Sequence, residues 1–181
     1  MRKFLLLLLF IGFAHADWMQ LDKDHTNVGF VAKHLGIANV AGRFEDYDAA
    51  IDFNKTTNTI KSLEAVIKVS SINTQNRARD NNLTKEIFFD TKKVKSIVFK
   101  MTGDDRGVIY GDLRIKNITK PVKLNYIYNG VAQDDTGVTK YSFSFVGDIK
   151  RKDFDVGKDY PTALISDDIR IVIDVEASLR K

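Results

Sequence analysis

Residues that could carry out chemistry are few in this chain. Cysteine is absent from the 181 residues, so no thiol nucleophile, disulfide or cysteine metal cluster can form. After the first sixteen residues only two histidines remain, His25 and His34, and their separation is not that of a local metal pair. Ser70 and Ser71 lack the glycine-flanked turn of a nucleophilic serine. The sequence therefore predicts a protein that is not an enzyme and that uses neither a metal nor a cofactor.

One connecting segment combines charged and apolar residues in an unusual way. The stretch RARDNNLTKEIFFD, residues 77–90, contains Arg79 and Asp80 and then two adjacent phenylalanines, Phe88 and Phe89. Charged side chains favour water and phenylalanines favour burial. The elements around this segment must therefore supply an apolar space for the two phenylalanines.

The first sixteen residues have the organisation of a secretory signal peptide. Arg2 and Lys3 precede the apolar run 4–13, and Ala14-His15-Ala16 forms a small-x-small cleavage site. The apolar run is shorter than the roughly 20 residues that a membrane span needs. We predict that residues 1–16 are removed and that residues 17–181 form one periplasmic or secreted domain.

Charge and hydropathy limit the partners of that domain. The formal net charge is +4, and it falls to +2 without Arg2 and Lys3. This charge is too weak and too scattered to indicate a nucleic-acid-binding protein. No later segment is long and apolar enough to span a membrane, so the sequence predicts no stable membrane insertion.

Most of the remaining chain alternates between apolar and polar residues, which is typical of strands with one buried face. Short turn signals separate the segments, at 102–105, 128–130 and 134–137, and they favour an antiparallel sheet. A helix is predicted only at about 74–86, with Ser71 or Asn73 as its cap. Eight strands are predicted, at 26–35, 42–53, 62–70, 96–101, 108–116, 122–128, 140–150 and 168–177.

An antiparallel sheet of this size closes into a barrel or stacks as a sandwich. The aromatic residues recur at every second position on the strands, so the residue pattern alone favours a solid core over a ligand cavity.

Five segments in register resemble the signature segments of the YceI-like family of periplasmic, lipocalin-like, polyisoprenoid-binding proteins. The resemblance covers nearly all of residues 20–178. Arg114, Lys95 and Asp155 depart from it where Thr, Pro and Gly are usual, and these changes are expected at the surface or in turns. The segments are DKDHTNVGFVAKHLGIANVAGRF, SINTQNRARDNNL with FFD, GDLRIKNITKPVKL, IKRKDFDVG and SDDIRIVIDVEA.

The resemblance implies an all-β fold, an eight-stranded antiparallel lipocalin-like barrel with a short helical excursion around residues 72–90. It also implies a long-chain lipid or isoprenoid ligand in the interior and an isologous homodimer. The excursion would turn Arg77, Arg79 and Asp80 to water and Phe88 and Phe89 to the interior. Arg79 and Asp80 then either fix the loop as a structural ion pair or contact a ligand head group.

The resemblance and the shared strand faces together give a set of ligand-binding candidates. The alternative function is a ligand-free compact barrel that acts through its surface, as a stress-response or adhesion factor. The candidates are Phe30, Phe44, Ile67, Phe88, Phe89, Phe99, Leu113, Leu124, Tyr126, Phe143, Phe145, Ile171, Arg79, Asp80 and His34.

Overall fold

The computed structural model describes residues 18–180, and the predicted signal peptide lies outside them. Within this range, no helix has the length and apolar character needed to cross a bilayer. One α-helix is present, α1 (Arg77–Leu83). The strands are β1 (Met19–Leu21), β2 (Asn27–His34), β3 (Ala38–Phe44), β4 (Tyr47–Asn54), β5 (Thr59–Lys68), β6 (Ile72–Asn73), β7 (Ser96–Asp105), β8 (Val108–Ile115), β9 (Ile118–Gln133), β10 (Thr139–Lys150) and β11 (Ile165–Leu179).

All strands belong to one antiparallel sheet, in the order β4-β5-β7-β8-β9-β10-β11-β2-β3-β6. Strand β1 pairs with the C-terminal part of β11, with Met19 opposite Leu179. Trp18, just before β1, forms a bridge to Asp52 of β4, the strand at the far end of the sheet. The sheet therefore curls so that its β4 end meets β11 through β1, while β6, at the other end, lies beyond β2 and β3. The predicted all-β antiparallel fold with one short helix is confirmed.

Sequence alternation explains how the sheet acquires an inside. In β8 the residues Ile109, Leu113 and Ile115 are buried, whereas Asp112 and Arg114 between them are exposed. Successive side chains of a strand point to opposite faces, so one apolar face turns inward along the whole curl. Arg114, where the resemblance leads one to expect Thr, thus lies on the outer surface.

The eight-strand count is not confirmed, because the described residues form eleven strands. The predicted strand 42–53 is two strands, β3 and β4, which are separated by a turn at Glu45 and Asp46. Strands β1 and β6 span only three and two residues, which is too short to show an alternating pattern.

Two predicted turns are wrong, and one is confirmed. Strand β7 continues through Gly103, and the chain turns at Arg106 and Gly107, both with positive φ. Strand β9 continues through Asn129, where a bulge opposite Ser142 takes up one extra residue. An Asn-Gly pair is a turn signal in isolation, but here the flanking strands continue their pairing across it.

The excursion between β5 and β7 contains β6 and α1. Helix α1 begins at Arg77, with Asn76 as its cap, since the Asn76 side chain accepts a hydrogen bond from the Arg79 amide at 3.0 Å. The sequence predicts a longer helix, at about 74–86, with Ser71 or Asn73 as its cap. Both the length and the cap of that prediction are wrong. The Asn73 side chain instead accepts a bond from the Gln75 amide and stabilises the turn before the cap.

An ion-pair network joins the strands near the chain termini. The ammonium of Lys140 in β10 lies 2.5 Å from Asp22 and 3.6 Å from Glu176 of β11. The hydrogen bond from Lys140 lowers the pKa of Asp22 from 3.8 to about 2. A carboxyl group whose pKa is depressed by folding stabilises the fold above its unfolded pKa and loses this contribution as the pH falls.

We expect Asp22→Asn to lower the free energy of unfolding by about 2 kcal/mol at pH 7. Between pH 4 and pH 2 the difference from wild type should shrink, because the wild-type carboxylate becomes protonated there. Urea unfolding at a series of pH values measures this. Asp105→Asn is the control, since among residues 18–180 Asp105 pairs only with the highly exposed Arg106, at 3.2 Å. A difference that does not change with pH would contradict the assignment.

Candidate ligand-binding cavity

The curled sheet and the excursion enclose a cavity of about 290 Å³. This is about twice an engineered 150 Å³ cavity that binds benzene. Its wall consists almost entirely of aliphatic and aromatic side chains from the inner strand faces. The residue pattern alone favours a solid core, and this prediction is wrong for the part of the interior that the cavity occupies.

Twelve of the fifteen predicted site residues lie on the cavity wall. The structure also adds wall residues that the strand pattern missed, namely Val40, Val156 and Ile165, because they lie outside the predicted strands. The twelve are Phe30, Phe44, Ile67, Phe88, Phe89, Phe99, Leu113, Leu124, Phe145, Ile171, Arg79 and His34.

Tyr126 and Phe143 belong instead to a packed aromatic cluster at the other end of the curl. Phe143 is fully buried, and its ring centroid lies 5.0 Å from that of Phe53 and 5.9 Å from that of Tyr126. The Tyr126 hydroxyl donates to the Asn58 carbonyl at 3.1 Å, and burial raises the pKa of this phenol. Tyr126 and Phe143 lie on the same inward face as the cavity wall, but they pack against each other and against Phe53, so no cavity remains there.

The excursion covers the cavity with its two phenylalanines. Phe88 is buried against Tyr160, with ring centroids 5.4 Å apart. Phe89 meets Phe44 of β3 edge-on at 6.2 Å. An added Cβ at Gly157 would come within 2.6 Å of the Phe88 ring, so this glycine lets the ring approach the backbone. Phe88 and Phe89 thus both belong to the cavity wall.

Arg79 and Asp80 do not turn to water as predicted, because both bind the buried Thr74. The Asp80 carboxylate accepts hydrogen bonds from the Thr74 amide at 2.9 Å and from its hydroxyl at 2.5 Å. Arg79 donates from Nε to the Thr74 hydroxyl at 2.8 Å and from Nη2 to its carbonyl at 2.7 Å. Of the pair only Arg79 reaches the cavity wall, and the pair fixes the loop through Thr74.

The cavity opens to solvent where β2 ends and β3 and β11 begin. Lys33 and His34 line the cavity and are also exposed, so they lie at its opening, which we call the mouth. Ile165, another wall residue, pairs with His34 in the sheet. The mouth therefore combines two basic side chains with an apolar rim.

Sequence reasoning missed Arg151, which is only 4% exposed and lies on the cavity wall. Its five N–H groups all donate to backbone carbonyls. Burial lowers the pKa of this guanidinium. An arginine directly after a strand is normally a surface residue, and only its place in the IKRKDFDVG segment marked it as special. The acceptors are Ser166 at 3.0 Å, Val156 at 3.0 Å, Tyr160 at 2.9 Å, Ile165 at 3.2 Å and Gly157.

One group of side chains could in principle hold a cation. Asp22, His25 and Glu176 each place a ligand atom within 4.8 Å of the others. Lys140 already lies between the two carboxylates and supplies the compensating positive charge. We therefore assign this group to the ion-pair network described above.

The chain matches known proteins over most of its length. The sequence model of the YceI-like domain matches residues 19–177. Protein YceI of Escherichia coli is 31% identical over 182 residues, which covers 97% of this chain and 94% of that protein.

Solved structures share the same fold. The YceI protein of Campylobacter jejuni is 41% identical and superposes with a TM-score of 0.76, covering 90% of this chain and 98% of that one. A polyisoprenoid binding domain from Saccharophagus degradans is 15% identical, with a TM-score of 0.65, and it covers 92% of this chain and all of that one. The second likeness concerns the fold alone.

Proposed function

The chain belongs to the YceI-like domain family, and we propose that it binds a long-chain amphiphilic lipid in the cavity and carries it outside the cytoplasm. The ligand class is a polyisoprenoid, an isoprenoid quinone or a fatty-acid-type chain. The observation that carries this proposal is the apolar cavity of about 290 Å³ inside the curled sheet. The fold shared with a polyisoprenoid binding domain supports the same ligand class.

Apolar contact should supply most of the affinity. Each buried methylene contributes roughly 0.8 kcal/mol, so about twelve methylenes contribute some 10 kcal/mol before costs. Immobilising the ligand takes back at least about 4 kcal/mol, which leaves at most about 6 kcal/mol, a dissociation constant of roughly tens of micromolar or weaker. One head-group hydrogen bond adds only about 1 kcal/mol. The wall therefore sets the affinity, and polar groups set the orientation.

The polar groups at the mouth suggest how the ligand is oriented. Lys33 and His34 are exposed at the mouth, and Arg79 reaches the wall from the excursion. A tail in the apolar interior would place its head group among these basic side chains. We assign Arg79 and His34 as head-group contacts, and Asp80 as the residue that holds the Arg79 loop in place through Thr74.

The same geometry favours binding over catalysis. Among the described residues, the wall contains the polar side chains of Thr26, Lys33, His34, Asp48, Thr74, Arg79 and Arg151. Thr74 and Arg151 are committed to structural hydrogen bonds, and within residues 18–180 the others are not joined as a nucleophile–base pair. We therefore infer a binding protein.

Titration of the purified protein with a fluorescent long-chain fatty acid tests this function. We expect saturable binding near one ligand per chain, with competition by a non-fluorescent isoprenoid lipid. A titration without saturable binding, with delipidated protein that remains folded, would favour the alternative of a compact barrel acting through its surface.

Export is a separate prediction, because the proposed carrier acts outside the cytoplasm. We expect the protein in its native host to begin at Asp17, after removal of residues 1–16. N-terminal sequencing of the protein from the periplasmic and cytoplasmic fractions measures this. A chain that retains Met1 and stays in the cytoplasm would overturn both the signal peptide and the localisation.

A further inference from the structure

Three exposed aliphatic side chains lie together beside the mouth. Ile37 is 85% exposed, Leu35 is 50% exposed and Leu164 is 40% exposed. The Leu35 amide donates to the Leu164 carbonyl at 3.1 Å, which joins the β2–β3 turn to the segment before β11. Their chain neighbours His34 and Ile165 line the cavity. We call Leu35, Ile37 and Leu164 the apolar tip.

The backbone of the tip makes its composition unusual. Leu35 and Gly36 have φ values of 52° and 72°, and the Ile37 amide donates to the His34 carbonyl at 3.1 Å. This is the tight hairpin turn that favours Asn-Gly or Asp-Gly. Leucine is unfavourable at the first of these left-handed positions, and it stays half exposed there. The fold therefore displays an apolar side chain where a polar residue would be more stable.

A free basic side chain lies next to the tip. Lys33 stands two residues before Leu35 on β2, and it is exposed at the mouth. Within residues 18–180, Lys33 forms no salt bridge. Its charge is free to interact with an anionic surface.

We propose that the apolar tip docks on the surface of an anionic phospholipid bilayer. The aliphatic side chains enter the interfacial region, and Lys33 approaches the head groups. This orientation turns the mouth toward the bilayer, so a ligand tail can pass between membrane and cavity without crossing water. The inference rests on the proposed lipid-binding function and adds where the ligand is exchanged.

The size of the tip favours a bilayer over a second copy of the chain. A stable protein interface buries about 800 Å² on each partner. Three partly exposed aliphatic side chains provide much less than this. A bilayer needs only a few inserted side chains and nearby cations to bind a protein reversibly.

Vesicle flotation tests the docking. The vesicles contain either phosphatidylcholine alone or phosphatidylcholine mixed with phosphatidylglycerol. We expect the wild type to float more with the mixed vesicles, and salt should weaken this binding. The variant Leu35→Ser with Ile37→Ser should lower the vesicle partition coefficient about tenfold or more, because most of the inserted surface is removed.

The control variant is Val66→Ser with Ile127→Ser, which removes aliphatic side chains that are 50% and 52% exposed on other strands. It should bind vesicles like the wild type. Wild type that floats with neither vesicle, or a control that loses as much binding as the tip variant, would overturn docking. A wild-type dimer that the tip variant converts to monomer, without vesicle binding, would overturn it too and assign the tip to a dimer interface.

Fatty-acid titration in solution separates this proposal from the proposed function. The tip variant should bind the fluorescent fatty acid with wild-type affinity, since neither changed residue lines the cavity. A wild-type protein that binds the fatty acid but not the vesicles would refute docking and leave the proposed function standing. Wild type that does not bind the fatty acid refutes the proposed function.

Discussion

Ala65→Trp is expected to remove most of the ligand binding while the protein stays folded. Ala65 is half-buried, lines the cavity and lies opposite Phe99 of β7 and Ala49 of β4 in the sheet. An indole at this position extends into the space that the ligand tail would occupy. We expect the affinity for the fluorescent fatty acid to fall by about tenfold or more, because the tail loses several methylene contacts.

Val66→Trp is the matched control. Val66 follows Ala65 on β5, points to the outer face and is 50% exposed. A tryptophan there should change neither the affinity nor the melting temperature appreciably. In a solid core, Ala65→Trp would instead cost about 1–3 kcal/mol or more through overpacking. An Ala65→Trp protein that is strongly destabilised but binds ligand with wild-type affinity would contradict the assignment of the cavity.

Arg151→Met is expected to lower the free energy of unfolding by about 3–5 kcal/mol, since it leaves five carbonyl groups without their charged donor. Those carbonyls belong to the loop after β10 and to the start of β11, so the guanidinium holds together one wall of the cavity. Arg151→Lys should have an intermediate effect, because an ammonium has fewer donors and lacks the planar fork. Urea unfolding of the ligand-free protein measures both changes.

The neighbouring residue gives the control for Arg151. Lys152 is half-buried and carries the same charge, and Lys152→Met should change the unfolding free energy by about 1 kcal/mol or less. If Arg151→Met unfolds with the same free energy as Lys152→Met, the five carbonyls find other donors and the expected role of Arg151 is wrong. If Arg151→Met does not fold, the Arg151→Lys value decides, and wild-type stability in that variant would contradict the account.

Strands were predictable because alternation is a local property of the sequence. In β8 buried and exposed positions alternate one by one from Ile109 to Ile115. The split between β3 and β4 was not predictable, since the turn at Glu45 and Asp46 has neither Gly nor Pro. It is stabilised by tertiary hydrogen bonds instead, from the amides of both residues to the Ser71 hydroxyl.

The division of the interior into a cavity and an aromatic cluster could not be predicted from periodicity. Phe143 and Phe145 are two residues apart on the same face of β10, yet only Phe145 lines the cavity. Phe143 meets Phe53, Tyr126 and Tyr128 across the curl, and those distances depend on the whole sheet. The Arg151 site has the same origin, because its five acceptors come together only when β10 and β11 pair.

Asp155 shows what a departure from the family pattern means physically. The position has φ of 53°, in the left-handed region that glycine adopts without strain, which accounts for the glycine usual there. Asp155 also forms an ion pair with Lys158 at 2.9 Å, and unlike the next residue, Val156, it does not line the cavity. Asp155 therefore lies in a turn, as the sequence predicts, and its side chain is not part of the cavity wall.

Lipid extraction from the purified protein tests the central claim most directly. Protein isolated from its native host, without added lipid, is extracted with organic solvent, and the extract is analysed by mass spectrometry. We predict a long-chain amphiphile in near-equimolar amount from the wild type and from Val66→Trp, and strong depletion from Ala65→Trp. A folded wild-type protein whose extract contains no more lipid than the Ala65→Trp extract would contradict the lipid-carrier account.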